Sequence, residues 1–239
     1  GGFAFKQCSS LTCVTISSSV TKIYDSAFSD CSSLANITIP NIVEIIGRNV
    51  LFGETILNGI ELPESVKILN NNTFIEHDIN SIIIPKSVSE IGMNAFSGCL
   101  SIKNITIPNG VTKIGSYAFS GCSSLTNITI PNSVTKIGGH AFLACSSITN
   151  ITIPNNVTKI YDGTFRGCSS LTNITIPNSV TEIGSFAFWG CSSLKNVIIP
   201  SSVIKIGSSA FWGCSLPSNI TIPNSVAEIG LCAFPQHFF

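Results

Sequence analysis

Short stretches of strict alternation between apolar and polar residues are the first regular feature of the chain. In Asn127-Ile128-Thr129-Ile130 the two isoleucines fall on one face and the polar side chains on the other. This period of two is typical of a half-buried β-strand. Pro131 follows directly and has no N–H to donate, so we expect it to end the strand and turn the chain.

The apolar spacing changes after the proline. A second, short extended segment brings Ile137 back to the core, and Gly138 follows at a corner where a positive φ is allowed. Phe142 and Cys145 come next, and an apolar spacing of three suits a 3₁₀ or single α turn. One unit is thus a strand, an extended segment and a helical turn, with Phe as its largest core residue.

This unit repeats with a period of 23 residues. Nine prolines mark it, with a single gap of 22 between the second and the third: Pro40, Pro63, Pro85, Pro108, Pro131, Pro154, Pro177, Pro200 and Pro223. Such a period is typical of a solenoid in which each coil packs on its neighbours. The sequence predicts a β-rich solenoid of about eleven coils, with one parallel β-sheet on one face and short extended segments and 3₁₀ or helical turns on the other.

We expect residues 1–239 to form a single solenoid without a linker. Residues 86–234 follow the repeat closely, whereas residues 41–84 form degenerate coils in which Leu51 replaces the repeated Phe. Because Phe5 already lies in mid-repeat, we interpret the chain as a fragment of a longer protein.

The full repeat, Leu-x-x-Ile-x-Ile-Pro-x-Ser-Val-x-x-Ile-Gly-x-x-Ala-Phe-x-x-Cys-x-x, is nearly verbatim in residues 171–193. It resembles the BspA-like leucine-rich repeats of the Treponema type, and the resemblance covers all eleven coils. It implies a curved, right-handed solenoid on the surface of a mucosal protist or a host-associated bacterium. It also implies adhesion to host matrix proteins, epithelium or other microbes, and it brings no catalytic residues.

The low content of charged residues limits the classes of function that the chain can have. Charged residues are only 10% of the chain, and twelve basic residues balance twelve acidic ones. The chain therefore lacks a basic stripe for nucleic acid or for an anionic membrane surface, and no apolar run approaches the roughly 20 residues that span a bilayer. No nucleophile–base pair, Gly-rich phosphate loop or carboxylate pair stands apart from the repeat, so we expect neither an enzyme nor a cofactor.

Cysteine carries the most prominent candidate chemistry. Eight of the ten follow the repeated Phe by three residues, at Cys8, Cys31, Cys99, Cys122, Cys145, Cys168, Cys191 and Cys214. One interpretation is a disulfide or metal array. We favour a ladder of buried free thiols, because side chains in register point the same way rather than toward each other. Cys13 and Cys232 lie off this ladder, and His77 and His237, which lie on it, fall short of the four ligands of a zinc site.

The polar side of the predicted strands is the best candidate binding face. It carries Asn104, Thr106, Asn127, Thr129, Asn150, Thr152, Asn173 and Thr175, with Ile83 and Ile198 as exposed apolar contact points. We expect the Asn amides and Thr hydroxyls to hydrogen-bond along the stack. The alternative is a solvated surface that satisfies its own polar groups and binds nothing.

Two further ladders are candidates for binding. Trp189 and Trp212 lie one coil apart, directly after the repeated Phe, and form an aromatic patch if exposed; burial under the next turn is the alternative. Three lysines in successive coils form a small positive stripe, at Lys113, Lys136 and Lys159. The stripe is either a solvated edge or a site for an anionic ligand.

Eight Asn-x-Ser/Thr sequons are present. Those on successive strands lie about 4.8 Å apart, which is too close for a glycan on each. Asn71 and Asn156, off the strands, are the better candidates for glycosylation.

We favour a binding module as the function, namely the ectodomain of a cell-surface or secreted adhesin with a host matrix or cell-surface protein as its ligand. A structural spacer or self-associating stack is the alternative, because uncapped end coils and Phe238-Phe239 expose apolar surface. Ice binding by threonines in register is a remote third hypothesis, against which the single Thr on each strand argues.

Overall fold

The computed structural model describes residues 1–52, 56–57, 60–76, 78–216 and 220–235. They form a parallel β-solenoid of stacked coils of about 23 residues, which confirms the predicted fold class. The stack has about 9 turns rather than the predicted eleven, because the first repeat contributes turns without strands and the last contributes one short strand. The described residues form no helix, and therefore no helix among them is long and apolar enough to span a bilayer.

Each coil begins with a strand of two or three residues, and these strands form the first row of the solenoid. They are Cys13–Thr15, Asn36–Thr38, Ile60–Glu61, Ile82–Ile83, Asn104–Thr106, Asn127–Thr129, Asn150–Thr152, Asn173–Thr175 and Asn196–Ile198. In the Asn-Ile-Thr strands the Ile is buried and the Asn and Thr are exposed. The alternation of the sequence is therefore confirmed as a half-buried strand.

The first row is not the continuous sheet that the sequence predicted. Backbone pairing joins three strands between Asn150 and Ile198, but only two at a time elsewhere. Ile82–Ile83 is not paired with Asn104–Thr106, in the coil that follows the one-residue deletion. The paired strands before this break are offset by 22 residues, Ile60 with Ile82, and the paired strands after it by 23, Asn104 with Asn127.

The extended segment predicted after each proline is itself a strand of two residues, and these strands form a second row. They are Lys22–Ile23, Ile45–Ile46, Ile68–Leu69, Glu90–Ile91, Lys113–Ile114, Lys136–Ile137, Lys159–Ile160, Glu182–Ile183, Lys205–Ile206 and Glu228–Ile229. They pair in parallel, in groups of two, four and four. Residues 41–84 add a third kind of pair, Ile56–Leu57 with Asp78–Ile79.

The segment around the repeated Phe is a run of turns, so the predicted helical turn is wrong. The N–H groups alternate between two kinds of acceptor. Ala118 donates to Gly115, three residues earlier (3.3 Å), and Phe119 donates to Ala141 of the next coil (2.8 Å). Positive φ at Tyr117 (57°) and Gly121 (73°) is incompatible with a helix. Every second donor thus joins two coils instead of closing a helical turn.

Gly138 does not adopt the positive φ that a glycine allows at this corner; in this coil positive φ occurs at His140 (57°) and Ala144 (57°). Gly138 serves a different purpose. A Cβ at this position would lie 2.4 Å from the backbone nitrogen of Ser116 in the preceding coil. Glycine is therefore required because two backbones approach closely.

The repeated Phe forms the centre of the core. Rings of successive coils stack in parallel, as between Phe119 and Phe142, whose centroids lie 5.4 Å apart with an interplanar angle of 5°. Leu51 is buried at the place of the missing ring between Phe28 and Phe74. Each coil therefore buries its largest side chain against its neighbours, which makes folding depend on the stack.

The ladder cysteines are buried as predicted, with the exception of Cys8, which is exposed in the first coil. None of the ten cysteines, all of which lie in the described part of the chain, forms a disulfide. Each buried cysteine also donates its S–H to the Phe carbonyl of the preceding coil, as Cys122 does to Phe96 over 3.1 Å. Burial raises the pKa of Cys168 to about 12, so these thiols stay protonated and unreactive at neutral pH.

Candidate functional site

The outward side chains of the first row form a regular polar face. One line on this face, the Thr row, consists of the same repeat position in six successive coils: Ile83, Thr106, Thr129, Thr152, Thr175 and Ile198. Strand register places Thr106 opposite Thr129, and Thr175 opposite both Thr152 and Ile198. The parallel Asn line runs beside it through Asn104, Asn127, Asn150 and Asn173, all exposed.

The Asn line forms only part of the predicted amide ladder. Asn127 donates to the Oδ1 of Asn104 across one coil step, over 3.1 Å. Asn150 and Asn173 instead donate within their own coils, to the hydroxyl of the Thr that precedes each of them. The amide ladder is therefore interrupted at Asn150, where the first row loses its backbone pairing, and also at Asn173, although Asn173 is paired in register with Asn150.

The threonines of the Thr row do not use their hydroxyls in the fold. Hydrogen bonds along the stack come from other threonines, such as Thr126 to the carbonyl of Lys103 (3.1 Å) and Thr172 to that of Thr149 (3.1 Å). Within the described part of the chain, four hydroxyls form no intramolecular hydrogen bond, namely those of Thr106, Thr129, Thr152 and Thr175. These hydroxyls are available as donors and acceptors for a ligand.

Apolar side chains occupy both ends of the Thr row. Ile83 is 73% exposed and Ile198 is 84% exposed. They lie five coil steps apart, or about 24 Å at the parallel-strand spacing of about 4.8 Å. Isolated exposed aliphatic groups of this kind are ready contact points for a partner.

A cleft opens at the Ile83 end, where the strand pairing is broken. It has a volume of about 790 Å³ and is lined by Ile83, Asn104, Thr106, Glu64, Lys86 and Asn109, among others. The sequence predicted that Ile83, Asn104 and Thr106 belong to one face, and the structure brings these three residues together. The cleft itself lies beside a break in strand pairing that the sequence did not predict.

The predicted tryptophan patch lies on a different surface, formed by the turns around the repeated Phe. Trp189 is 36% exposed and Trp212 is half-buried. The guanidinium of Arg166 lies over the Trp189 ring, 4.7 Å from its centroid, and 5.7 Å from the centroid of Phe186. Sequence reasoning missed Arg166, although it occupies the same repeat position as both tryptophans.

Histidine and tyrosine extend this surface. The imidazole of His140 stacks on the Tyr117 ring with centroids 4.8 Å apart. Burial, and secondly the charge of Arg166, lower the pKa of His140 below its ordinary 6.5, while Asp162 opposes the shift. His140 is therefore neutral at physiological pH.

The predicted lysine stripe is largely neutralised. Lys113 forms an ion pair with Glu90, and Lys159 forms one with Glu182 at 2.8 Å. Lys136 lies over the ring of Tyr161 with its nitrogen 5.4 Å from the centroid. The stripe offers little free charge to an anionic ligand.

The two candidate glycosylation sites differ in their hydrogen bonding. Asn71 accepts a hydrogen bond from the N–H of Met93 through Oδ1 (2.8 Å), which leaves its Nδ2 outside this contact. Asn156 uses Nδ2, the atom that a glycan would join, to donate to the carbonyl of Asn132 (2.7 Å). Both residues are exposed, and Asn71 is the better predicted acceptor. The sequon at Asn219 lies outside the described residues.

The groups on these surfaces are suited to binding. In the portion of the chain that the structure describes, no cluster of three or more His, Cys, Asp or Glu side chains is arranged to hold a metal ion. His77 and His237, considered as ladder ligands in the sequence, lie outside that portion. Hydroxyls, amides and apolar contacts are the chemistry that the strand face offers.

A protein-family comparison gives one family. The model described as "BspA type Leucine rich repeat region (6 copies)" matches residues 1–80, 67–183 and 140–237. No curated protein sequence matches the chain.

Solved structures with the same fold include bacterial leucine-rich repeat proteins. A leucine-rich cell surface protein from Faecalibacterium prausnitzii is 29% identical, with 97% of this chain and 76% of that chain covered and a TM-score of 0.54. A leucine-rich repeat protein from Bacteroides ovatus is 27% identical, with 96% and 77% covered and a TM-score of 0.55. The pneumococcal vaccine antigen PcpA, at 20% identity with 93% and 66% covered and a TM-score of 0.61, shares the fold.

Proposed function

The chain belongs to the BspA-type leucine-rich repeat family, and from this premise we propose that it is a non-enzymatic, protein-binding module of a cell-surface or secreted adhesin. The Faecalibacterium relative, described as a cell surface protein, supports the location. The proposed ligand is a host matrix or epithelial surface protein, or a protein on another microbe. The strand face is the proposed contact surface.

The single observation that carries this proposal is the composition of the Thr row. Its four threonine hydroxyls lie in line between two strongly exposed isoleucines, Ile83 and Ile198. A solvated surface that merely satisfied itself would bond its hydroxyls along the stack, as Thr126 does. A row of unbonded hydroxyls with an apolar anchor at each end is instead complementary to an extended protein surface.

The arrangement defines what the partner must offer. It must present two apolar patches about 24 Å apart, matched to five coil steps. Between them it must offer polar groups that accept from and donate to hydroxyls and amides. Charge contributes little, because the strand face carries Asn and Thr, so binding should depend weakly on salt.

The test replaces the anchors with the residue that the repeat has at this position. Ile83→Thr together with Ile198→Thr extends the threonine row without touching the core, so folding should be unchanged. We expect the double variant to lose about tenfold or more in affinity, as is usual for removing two interface anchors. Binding is measured by surface plasmon resonance against a panel of immobilised fibronectin, fibrinogen and laminin, and by attachment to epithelial cells.

Ile204→Thr is the matched control. Ile204 is 54% exposed and follows Thr112, Thr135, Thr158 and Thr181 at another position of the repeat, off the Thr row. The control should bind like the unchanged chain. The proposal is wrong if the unchanged chain binds nothing in the panel, or if the double variant binds as well as Ile204→Thr.

A further inference from the structure

An arginine lies within an exposed aromatic cluster on the turn surface, away from the strand face. The arginine–aromatic cluster consists of Arg166, Phe186 and Trp189. Phe186 and Trp189 come from the coil after that of Arg166, and both rings are exposed. The guanidinium carbon lies 4.7 Å from the Trp189 centroid and 5.7 Å from that of Phe186.

The charge of Arg166 lacks a carboxylate partner among the described residues. Every ion pair recorded there belongs to a lysine, as in Lys159–Glu182 and Lys205–Glu228. The nearest acidic side chain in sequence, Asp162, uses its Oδ1 to accept the N–H of Ser185 at 2.8 Å. In a chain with so few charges, a guanidinium that lies over two aromatic rings and has no carboxylate partner in the described part of the chain is conspicuous.

Stacking prepares the guanidinium for an anion. A guanidinium that lies over an aromatic ring keeps its N–H donors at its edge, where a planar carboxylate can bind with two parallel hydrogen bonds. The ring contacts also restrict the side chain before a ligand arrives, which lowers the entropic cost of binding. The exposed parts of the Phe186 and Trp189 side chains add apolar area beside that fork.

We propose that the arginine–aromatic cluster is a binding site for a carboxylate-bearing sugar, such as a uronic acid residue of an acidic polysaccharide. The carboxylate pairs with Arg166, and the apolar face of the sugar ring packs on Trp189 and Phe186. This site is additional to the protein-binding strand face and lies on a different surface.

The geometry favours a sugar over an acidic peptide. The neighbouring second-row strands Lys159–Ile160, Glu182–Ile183 and Lys205–Ile206 are paired with one another in register, so Glu182–Ile183 offers no free strand edge to which an extended peptide could add. The same turn surface continues into the next coils as a stepped ladder, with the Tyr117–His140 stack on one side and Trp212 on the other. A polymer of rings can follow such a ladder, one coil at a time.

The test uses oligogalacturonate as the probe and isothermal titration calorimetry with the full chain. We expect the unchanged chain to bind it and to ignore the methyl-esterified oligomer, in which the same sugar carries no charge. Arg166→Gln should weaken binding about tenfold or more, because it removes a charge-assisted pair. Arg166→Lys should weaken it as well, since an ammonium keeps the charge but loses the planar fork.

Arg48→Gln is the matched control. Arg48 is the only other arginine of the chain; it is exposed, and none of the cation–ring contacts recorded for the described residues involves it. It should bind like the unchanged chain, and all variants should keep the same melting temperature. The proposal is overturned if oligogalacturonate does not bind, if Arg166→Gln binds as well as Arg48→Gln, or if polyglutamate of equal charge binds as tightly, which would indicate a site for acidic peptides. Because Ile83→Thr with Ile198→Thr leaves this cluster intact, failure of the strand-face proposal would not affect the result.

Discussion

The thiol of Cys122 donates a hydrogen bond to the carbonyl oxygen of Phe96, one coil earlier in the stack, over 3.1 Å. The same oxygen accepts the backbone N–H of Cys99, in its own coil, over 3.2 Å. One carbonyl thus serves both the turn that it closes and the neighbouring coil. The ladder cysteine is therefore a connector between coils as well as a small core residue.

Alkaline pH should destabilise the protein through these thiols. Burial raises the pKa of Cys168 from 9.0 to about 12, so the folded state retains a proton that the unfolded state loses within that window. Stability is then complete below about pH 9 and falls as the pH rises toward 12, by about 1.4 kcal/mol per pH unit for each such thiol. Urea unfolding midpoints measured across the alkaline range check the expectation.

The variant Cys168→Ala isolates one thiol in that measurement. It should lower stability at neutral pH by about 1 kcal/mol, since a buried hydrogen bond and some packing are lost. It should also reduce the slope of unfolding free energy against pH in the alkaline range by the contribution of one proton. An unchanged slope would show that the pKa of the Cys168 thiol is not higher in the folded state than in the unfolded state.

Alkylation should divide the ten cysteines into two classes. Cys8, Cys13 and Cys232 are exposed, whereas the other seven cysteines are buried. A buried thiol stays protonated, and the protonated form does not react. Iodoacetamide should therefore modify three sites in the native protein at neutral pH, and all ten after unfolding in guanidinium. Peptide mass spectrometry identifies the sites, and early modification of Cys145 in the native protein would contradict the assignment.

The sequence predicted those features that the repeat period alone determines. Alternation around Ile128 identified the buried side of the strand, and the period placed Phe142 and Cys145 in the core, because every coil must bury the same positions against its neighbours. The outward direction of Asn127 and Thr129 follows from the same alternation. The candidate strand face was thus predictable in its composition.

What the sequence did not reveal are the contacts between coils. A spacing of three suggested a helical turn around Phe119, yet every second N–H there bonds to the next coil, which no local pattern encodes. The break beside Ile83 and the position of Arg166 over Trp189 also depend on stacking. Such features require the three-dimensional register of two coils.

Two glycines of the repeat should respond very differently to alanine. A Cβ on Gly138 would lie 2.4 Å from the backbone nitrogen of Ser116, and neither backbone can retreat without losing the Gly138–Ile114 hydrogen bond (2.9 Å). We expect Gly138→Ala to cost about 3 kcal/mol or more. Equilibrium unfolding in urea measures this loss.

Gly121→Ala is the comparison. Its φ is +73° but the nearest atom to an added Cβ is 3.7 Å away, and Ala144 already occupies the same position one coil later at φ 57°. Only the cost of a left-handed conformation remains, about 1–2 kcal/mol. Equal losses for the two variants would mean that backbone approach at Gly138 does not limit stability.

His140 and Gly163 should be energetically coupled. A Cβ on Gly163 would lie 2.5 Å from Nε2 and Cδ2 of His140, whose ring occupies that space, and Gly163 has a φ of +59°. Gly163→Ala must therefore displace the imidazole from its stack on Tyr117 as well as adopt an unfavourable φ, at a total cost of about 2–3 kcal/mol. In a His140→Ala background only the cost of φ remains, about 1–2 kcal/mol.

A double-mutant cycle measured by urea unfolding should thus yield a coupling of about 1 kcal/mol between the two positions. Gly190→Ala serves as the reference, because its φ is +71° while an added Cβ would meet nothing nearer than the Cα of Gly167 at 3.9 Å. Its cost should be the same with and without the His140 ring. If Gly163→Ala also costs the same in both backgrounds, the imidazole of His140 does not lie over Gly163.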